Sequence, residues 1–581
     1  MKSRISGATL ATKHVQTVTK QRTLPSAAQW RELPRFLSAR EKLRAKLSLA
    51  VLGIASVTLG IYFWNTSLVR VPALGGSITE GLIGSPRYIN PLFSEGSDAD
   101  RDLTRLVFRG LTQASANGYV ADLAAEIISE SPTVTRVVIK PEAKFHNGQP
   151  LTSSDVLFTI EAIKNPSFGS PLLPLYQEVS VEADGDGAVR FTAKEGLDIL
   201  PLLAVGILPA DVWQSVPPES AILSSLNLRP VGNGPYQVSK LTRNEDGEIL
   251  SLTLTAFQDY PGDGPYIKNI VAKFAPTANA LGEALLAGQL DSAATVPASK
   301  AEKLQNDRRF NIVTPNMPQY VAAYFNTKKS VFTESAVRRA LALAIDRAQV
   351  AAQARSSFAT AWPSPVLPYF ATDLEVTTPG ADLEGARAAL EGAGWITGPD
   401  GIRLKGEERL AFSVTAVESE EFAAAAEAIA QSWRSVGAEV TVQNVSRVSF
   451  QQAVAKDRAF DVLIADAQYL GSRPDPYIFW HSSQGVAPGL SISQIANSAL
   501  DAAVSAIRKN ESPEIVKEAY KAFNAAFMEE APAVILYVPQ YIYAAPSEVK
   551  GLNLNWLSTP ADRFQGILNW YVTTKNVRRQ H

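Results

Sequence analysis

The chain of 581 residues contains no cysteine, and this absence removes whole classes of chemistry. Disulfides, thiolate metal sites and cysteine nucleophiles are excluded, and so is a lipid anchor on an N-terminal cysteine. The four histidines, His14, His146, His481 and His581, are too scattered along the sequence to suggest a histidine-based metal cage. The sequence therefore predicts no metal centre and no cofactor.

Recognisable catalytic motifs are also missing. The sequence has no nucleophile elbow, no HExxH, no P-loop and no GxGxxG. Serine and aspartate are plentiful, but no spacing indicates a catalytic triad or a carboxylate pair. We therefore expect a binding protein with no catalytic residues, and a peptidase or hydrolase is the weaker alternative.

Charge is distributed unevenly along the chain. Residues 1–46 carry eleven Lys/Arg against Glu32 and Glu41, which is a net charge of +9, so the remainder must carry −11 to give the total of −2. A basic N-terminal segment followed by an acidic remainder predicts that the two parts lie in different cellular compartments. It does not indicate a nucleic-acid partner. We expect residues 1–46 to form a flexible cytoplasmic tail that sets membrane topology, and binding to anionic lipid is the alternative.

The uncharged run from Leu47 to Trp64 is long enough to cross a bilayer, since eighteen helical residues span roughly 27 Å. Tyr62, Phe63 and Trp64 suit a membrane interface, and the basic side precedes the span. The sequence predicts a single anchor over 47–66, with the N-terminus cytoplasmic and the body outside the cell membrane. A cleaved signal peptide is the competing interpretation.

The stretch Lys144–Ile163, KFHNGQPLTSSDVLFTIEAI, predicts a strand end, a turn and a helix start. Asn147-Gly148 marks the turn, because glycine adopts a positive φ at little cost. Thr152 is a good N-cap, and Asp155 three residues later completes a near-capping box.

This stretch resembles a segment typical of the family 5 extracellular solute-binding proteins, the peptide-binding and nickel-binding components of ABC importers. Further resemblances follow in order over about residues 75–570: GNGPY from Gly232, VRRALALAIDR from Val337, ALEGAGW from Ala389 and FDV from Phe460. No single match is specific, but the ordered series is strong.

The resemblance implies an α/β, bilobed type II periplasmic-binding-protein-like fold with an extra small α+β subdomain, preceded by one transmembrane helix. It implies a hinge of two chain crossings. The expected ranges are a basic tail (1–46), an anchor (47–66), lobe I (72–112, 231–275 and 495–572), the small subdomain (113–230), lobe II (276–494) and a polar tail (573–581).

In peptide-binding members of this family an acidic side chain near an acidic-Pro pair takes the ligand's ammonium group. Here the pair is Asp475-Pro476, the family's aromatic residue matches Tyr469, and the position of the acid holds Ser472. A buried cation needs a paired charge. Either Asp466 or Asp475 takes over, or the ligand is not a peptide with a free amine.

Other ligand contacts implied by the resemblance are Gln468, Asn326, Trp480 and Asn233. A structural role is the alternative for each of them, and a place in the core is the alternative for Tyr469. His481 is a candidate for a metal chelate, although a lone histidine is usually structural. The expected function is capture of a peptide or peptide-like solute for an ABC permease. A surface receptor, adhesion or chaperone module on the same fold is the alternative, and a metal-chelate binder is weaker.

Overall fold

The computed structural model describes residues 26–66, 68–115, 118–194, 197–370, 374–446, 449–450, 457–469, 474–486, 489–509 and 512–578. The chain divides into two compact units. One consists of Met1–Val71 with Lys575–His581, and the other is Pro72–Thr574.

The first unit is built around an apolar helix. Helix α1 (Ala27–Phe36) precedes helix α2 (Ala39–Thr66), which starts earlier than the predicted anchor. Its segment Ala39–Tyr62 has a mean hydropathy of 1.6, is not buried, and is long and apolar enough to cross a membrane. Strand β1 (Leu68–Ala73) pairs with strand β24 (Thr573–Arg578), so most of the predicted polar tail is a strand.

The second unit contains a mixed seven-stranded sheet, which defines lobe 1. In spatial order it holds β13 (Phe310–Val313), β23 (Tyr543–Pro546), β12 (Ser292–Ala294), β2 (Gly75–Ile83), β11 (Ile267–Ala275), β10 (Ile249–Ala256) and β9 (Tyr236–Arg243). Lobe 1 also holds α3 (Asp98–Val107), α7 (Ala278–Leu286) and α8 (Ala298–Leu304).

A second mixed sheet of six strands defines lobe 2. Its order is β15 (Ala359–Ala361), β22 (Ala533–Pro539), β14 (Gln319–Phe325), β21 (Val462–Gln468), β19 (Ala411–Val417) and β20 (Glu439–Val445). Alternate residues of β14 enter two different hydrophobic clusters, so this sheet is buried on both faces.

Helices cover the second sheet, and a small three-stranded sheet adjoins it. The helices are α9 (Ser335–Leu343), α10 (Arg347–Arg355), α11 (Leu383–Gly392), α12 (Glu420–Ser435), α13 (Tyr477–Trp480), α14 (Ser498–Lys509) and α15 (Pro513–Glu530). The small sheet contains β16 (Ile396–Thr397), β17 (Arg403–Lys405) and β18 (Glu408–Arg409).

The subdomain is α+β, as the sequence predicts. Its four-stranded antiparallel sheet runs β5 (Ala124–Ser129), β6 (Val134–Ile139), β8 (Ala188–Ala193) and β7 (Val179–Ala183). A hairpin of β3 (Thr112–Ser115) and β4 (Gly118–Ala121) precedes it, and α4 (Ser153–Lys164), α5 (Leu173–Tyr176) and α6 (Ala210–Trp213) complete it.

The chain passes between the lobes at two places that differ from the predicted boundaries. It leaves lobe 1 after β13 and enters lobe 2 at β14, so the first crossing lies at residues 314–318 and not near 276. It returns between β22 and β23 at residues 540–542, so the segment from 495 to 539 stays in lobe 2. Both differences have one cause. The lobe to which β12, β13 and β22 belong depends on the sheet with which each strand pairs, and local sequence does not specify that pairing.

The predicted capping box is present at the start of α4. The backbone N–H of Thr152 donates to the Asp155 carboxylate at 2.8 Å.

The stretch Lys144–Ile163 and the GNGPY segment from Gly232 contact each other in lobe 1, at the end of α3. His146 Nδ1 accepts from the Gly232 N–H at 3.2 Å, and its Nε2 lies 3.0 Å from the Gly234 carbonyl oxygen. Burial lowers the pKa of His146 to about 4, so the ring is neutral at pH 7 and donates through Nε2.

Candidate ligand-binding cavity

A cavity of about 250 Å³ lies between α3, the subdomain and the segment 558–562. The apolar part of its wall comes from Pro91, Phe108, Leu172, Leu175, Leu202 and Val205. A largely apolar wall with a few polar groups is the usual composition of a small-molecule site.

Arg105 and Asp562 form the charged part of this wall. The Arg105 Nη2 donates to Asp562 Oδ1 at 3.0 Å, and both side chains are largely buried. The other carboxylate oxygen of Asp562 accepts from the N–H of Thr559 at 2.8 Å and from its hydroxyl at 3.1 Å. Asp562 is therefore fixed at the start of a short 3₁₀ helix, Pro560–Phe564, and it holds Arg105 at the cavity.

Several hydrogen-bonding atoms in the wall have no partner among the described residues. They include the Thr104 and Ser558 hydroxyl oxygens and the Arg105 Nε, which are all buried. Burial also raises the pKa of Tyr119 to about 12, so this phenol remains a hydrogen-bond donor across the physiological range. Buried polar groups in folded proteins are normally paired, so this cluster indicates a place for a ligand or ordered water.

Glu95 lies at the more exposed side of the cavity. Partial desolvation at the cavity raises the pKa of the Glu95 carboxyl, an effect that the charge of the nearby Arg101 opposes. Arg101 donates to the Glu95 backbone carbonyl at 2.9 Å and pairs with Asp98, so its own charge is already compensated. The cavity lining contains two cations, Arg101 and Arg105, and two carboxylates, Glu95 and Asp562.

Of the predicted ligand contacts that the structure describes, none lines this cavity, but Gln468 reaches its edge. The Gln468 side-chain amide donates to the Ser558 carbonyl oxygen at 2.7 Å and so connects lobe 2 to the cavity wall in lobe 1. Asp466, two residues earlier on β21, is exposed on the face that also carries Val321.

Tyr469 and Trp480 are buried in the core of lobe 2. The Tyr469 ring packs edge to face on Tyr320 at 6.0 Å, and the Trp480 indole N–H donates to the Tyr320 hydroxyl at 3.1 Å. Trp480 also stacks on Tyr324 at 5.7 Å. In this conformation both predicted contacts pack against other aromatic rings.

Asp475 is engaged in an ion pair. Its carboxylate accepts from Arg508 Nε at 2.9 Å, and the guanidinium of Arg508 lies 3.7 Å from the centre of the Tyr477 ring. Ser472, the position that the resemblance gives to the ammonium anchor, lies outside the described residues.

The two predicted asparagines bind backbone groups. Asn326 donates to the carbonyl oxygens of Arg458 and Phe460 at 3.1 and 3.0 Å. The Asn233 side chain accepts from the Arg109 N–H at 2.8 Å and donates to the Arg109 carbonyl oxygen at 3.2 Å. Both residues therefore tie loops to neighbouring elements.

No group of three metal-ligating side chains occurs among the residues that the structure describes. His481 stacks on Tyr477 at a ring separation of 4.1 Å, and its Nδ1 lies 2.8 Å from the Ser483 hydroxyl. Its surroundings are those of a packed side chain in lobe 2.

Sequence reasoning missed the residues that line the cavity. Two of them, Arg101 and Arg105, recur together with Asp98 and Asp102 at helical spacing on α3, a pattern that is typical of a solvated face. In the fold Asp102 is 5% exposed and the Arg105 side chain 13%. These charges would have indicated a site if the sequence had shown that another segment covers this face of the helix. Only the fold shows that the segment 558–562 does so.

Comparison with known proteins gives a consistent assignment. The sequence profile described as bacterial extracellular solute-binding proteins, family 5 Middle, matches residues 118–488. The chain is 27% identical over 519 residues to the oligopeptide-binding protein AppA of Bacillus subtilis, covering 86% of this chain and 92% of that protein.

Solved structures agree with this match. The structure of the Bacillus subtilis oligopeptide-binding protein AppA in complex with a nonapeptide is similar with a TM-score of 0.73 and 26% identity, covering 87% of this chain and all of that one. NikZ from Campylobacter jejuni, in complex with Ni(L-His), has a TM-score of 0.72 at 23% identity, covering 85% and 99%. The fold predicted from the sequence is confirmed.

Proposed function

Because the chain belongs to the bacterial extracellular solute-binding proteins, family 5, we propose that it captures a peptide or peptide-like solute and delivers it to an ABC permease. Proteins of this family are the solute-binding components of ABC importers and are not enzymes. The assignment of a peptide-like solute rests on the relatives, since AppA holds a nonapeptide in its structure.

The observation that supports this proposal most directly is the cavity beside the interlobe contact. The two crossings at 314–318 and 540–542 allow one lobe to rotate against the other, as in hinge closure around a ligand. The Gln468 to Ser558 hydrogen bond closes the gap next to the cavity. We propose that a solute in this cavity stabilises the closed arrangement because it packs against the wall segment that Gln468 of lobe 2 contacts.

Among the predicted contacts, Gln468 and Asp466 are the ones we propose to act near the solute in lobe 2. Gln468 already reaches the cavity edge, and Asp466 lies on the same strand with its side chain exposed. An acid at this position could take a ligand ammonium group in place of the family's acid, which Ser472 replaces.

A thermal-shift screen tests the proposed function. Full-length protein in mild detergent is mixed with pools of di-, tri- and longer peptides and with pools of small organic acids. We expect at least one pool to raise Tm by several degrees, since a ligand at about 100 times its Kd adds about 2.7 kcal/mol. A complete screen without a shift would count against solute binding.

We also propose that α2 anchors the protein in the cell membrane, with its N-terminus in the cytoplasm. The observations are its unburied apolar span and the net charge of +9 that precedes it. In membranes from the native cell, the full-length chain should resist alkaline carbonate extraction, and protease added outside should degrade the body but spare an epitope tag at the N-terminus. Release of a shortened chain into the supernatant would instead indicate a cleaved signal peptide.

A further inference from the structure

The guanidinium of Arg105 uses little of its hydrogen-bonding capacity. Its side chain is 13% exposed, and a single N–H, on Nη2, donates to Asp562. An arginine side chain has five N–H donors. Among the described residues, the buried Nε of Arg105 has no acceptor.

In this geometry Asp562 accepts only one of the Arg105 donors. One of its oxygens accepts from Thr559 twice, and the other already accepts from Arg105. A largely buried cation is costly unless its donors find acceptors. The geometry therefore leaves room for an acceptor that comes from outside the chain.

Other donors of the wall point to the same missing group. Thr104 precedes Arg105 on α3, Ser558 precedes the N-cap of the 3₁₀ helix that holds Asp562, and both hydroxyls are buried without a partner. Tyr119 also lines the cavity. A guanidinium, which only donates, beside two unpaired hydroxyls, which can donate, suits a ligand group with several acceptor oxygens.

Resting on the solute-binding function proposed above, we infer that this cavity takes a small solute through a carboxylate group, and that Arg105 is the residue that selects it. The two cations of the lining are already balanced by two carboxylates, so a monovalent carboxylate fits better than a phosphate dianion. The apolar wall accommodates the body of the solute. A volume of about 250 Å³ suits a solute the size of a one- or two-residue peptide, below the ~300–1,000 Å³ of drug-sized sites.

Matched probes separate the carboxylate from the rest of the ligand. N-acetyl-L-leucine offers a carboxylate on an apolar body, and N-acetyl-L-leucinamide has the same body with a neutral amide. Equilibrium dialysis of the radiolabelled probes against full-length protein in mild detergent, at millimolar concentrations, measures both affinities. We expect the carboxylate probe to bind at least about tenfold more tightly, as for loss of a charge-assisted hydrogen bond.

Variants assign this preference to Arg105. In Arg105→Gln the preference should vanish, and in Arg105→Lys part of it should remain because the charge is kept while the planar fork is lost. Arg409→Gln, an exposed arginine in lobe 2, should keep the full preference. Tm of each variant without probe checks that the chain is folded.

The inference is overturned if wild type binds both probes equally, if it binds neither, or if a folded Arg105→Gln retains the preference. Failure of the solute-binding function itself would give a different result: no pool in the thermal-shift screen would stabilise the wild type. A stabilising pool combined with no carboxylate preference would leave the function standing and remove only the role of Arg105.

Discussion

Replacing Arg563 by methionine is expected to lower the free energy of unfolding by about 3–5 kcal/mol, because it leaves buried carboxylates without a counter-ion. Arg563 is fully buried and donates to Glu80 at 2.9 Å and to Asp102 at 2.8 Å. Glu80 also accepts from the hydroxyls of Ser292 and Tyr543. One guanidinium therefore ties β2, α3, β12, β23 and the segment 560–564 together in lobe 1.

A matched control for this variant is Arg409→Met. Arg409 also binds two carboxylates, Asp400 at 2.8 Å and Glu439 at 2.9 Å, but all three side chains are exposed. Exposed pairs contribute about 0–1 kcal/mol, so this variant should lose far less stability. Urea unfolding of the full-length chain in mild detergent, followed by tryptophan fluorescence, compares them. Equal losses in the two variants would contradict the role assigned to Arg563.

The pH dependence of Arg563→Met provides a second readout. Burial raises the pKa of Asp102 even in the presence of Arg563, which opposes the shift. Without the cation the folded-state pKa rises further above the unfolded value of about 3.9. A carboxyl whose pKa is raised on folding favours the folded state at low pH and loses that contribution as pH rises. The deficit of the variant should therefore be smaller near pH 5 than at pH 8.

Gly232→Ala is the second change with a large expected effect. A Cβ on Gly232 would lie 2.0 Å from the Val107 carbonyl oxygen, which is backbone at the end of α3 and cannot rotate away. The Gly234 N–H donates to the same oxygen at 2.8 Å, so the loop and the helix end are already in contact. Separating them would also disturb the bonds of His146 to this loop. We expect a loss of about 2–3 kcal/mol or more.

Gly187→Ala is the control for the glycine substitution. No atom lies within 4 Å of the Cβ position at Gly187, and its φ is not in the left-handed region. A glycine of this kind tolerates alanine and often gains about 0.4–1 kcal/mol, because the unfolded chain loses freedom. Differential scanning fluorimetry of both variants suffices. If Gly232→Ala melts at the wild-type temperature, the close approach to Val107 is wrong.

Sequence patterns predicted those parts of the fold that local interactions decide. The turn at Asn147-Gly148 and the capping box at Thr152 depend on residues a few positions apart, and both are present. The apolar span before residue 66 and the α+β subdomain also follow from local composition. The lobe boundaries were misplaced because they depend on which sheet edge β12, β13 and β22 join.

The cavity could not be found in the same way. Thr104 and Arg105 belong to a helix face that resembles a solvated one in sequence, and Ser558 is more than 450 positions away along the chain. Only the return of the chain to lobe 1 after β22 brings Ser558 and Asp562 onto α3. Motif resemblance directed attention to the run from Asp466 to His481 instead, whose role in binding stays a prediction.

Native mass spectrometry tests the central claim, that this chain holds a small solute in the cavity beside its interlobe contact. Full-length protein purified without denaturant from the native cell is released from detergent micelles, and its mass is compared with that of the same protein after unfolding, dialysis and refolding. We predict an additional mass of a few hundred daltons before unfolding, consistent with a cavity of about 250 Å³, and its loss after refolding. Identical masses in both states, together with no gain on adding peptide or organic-acid pools, would contradict the account.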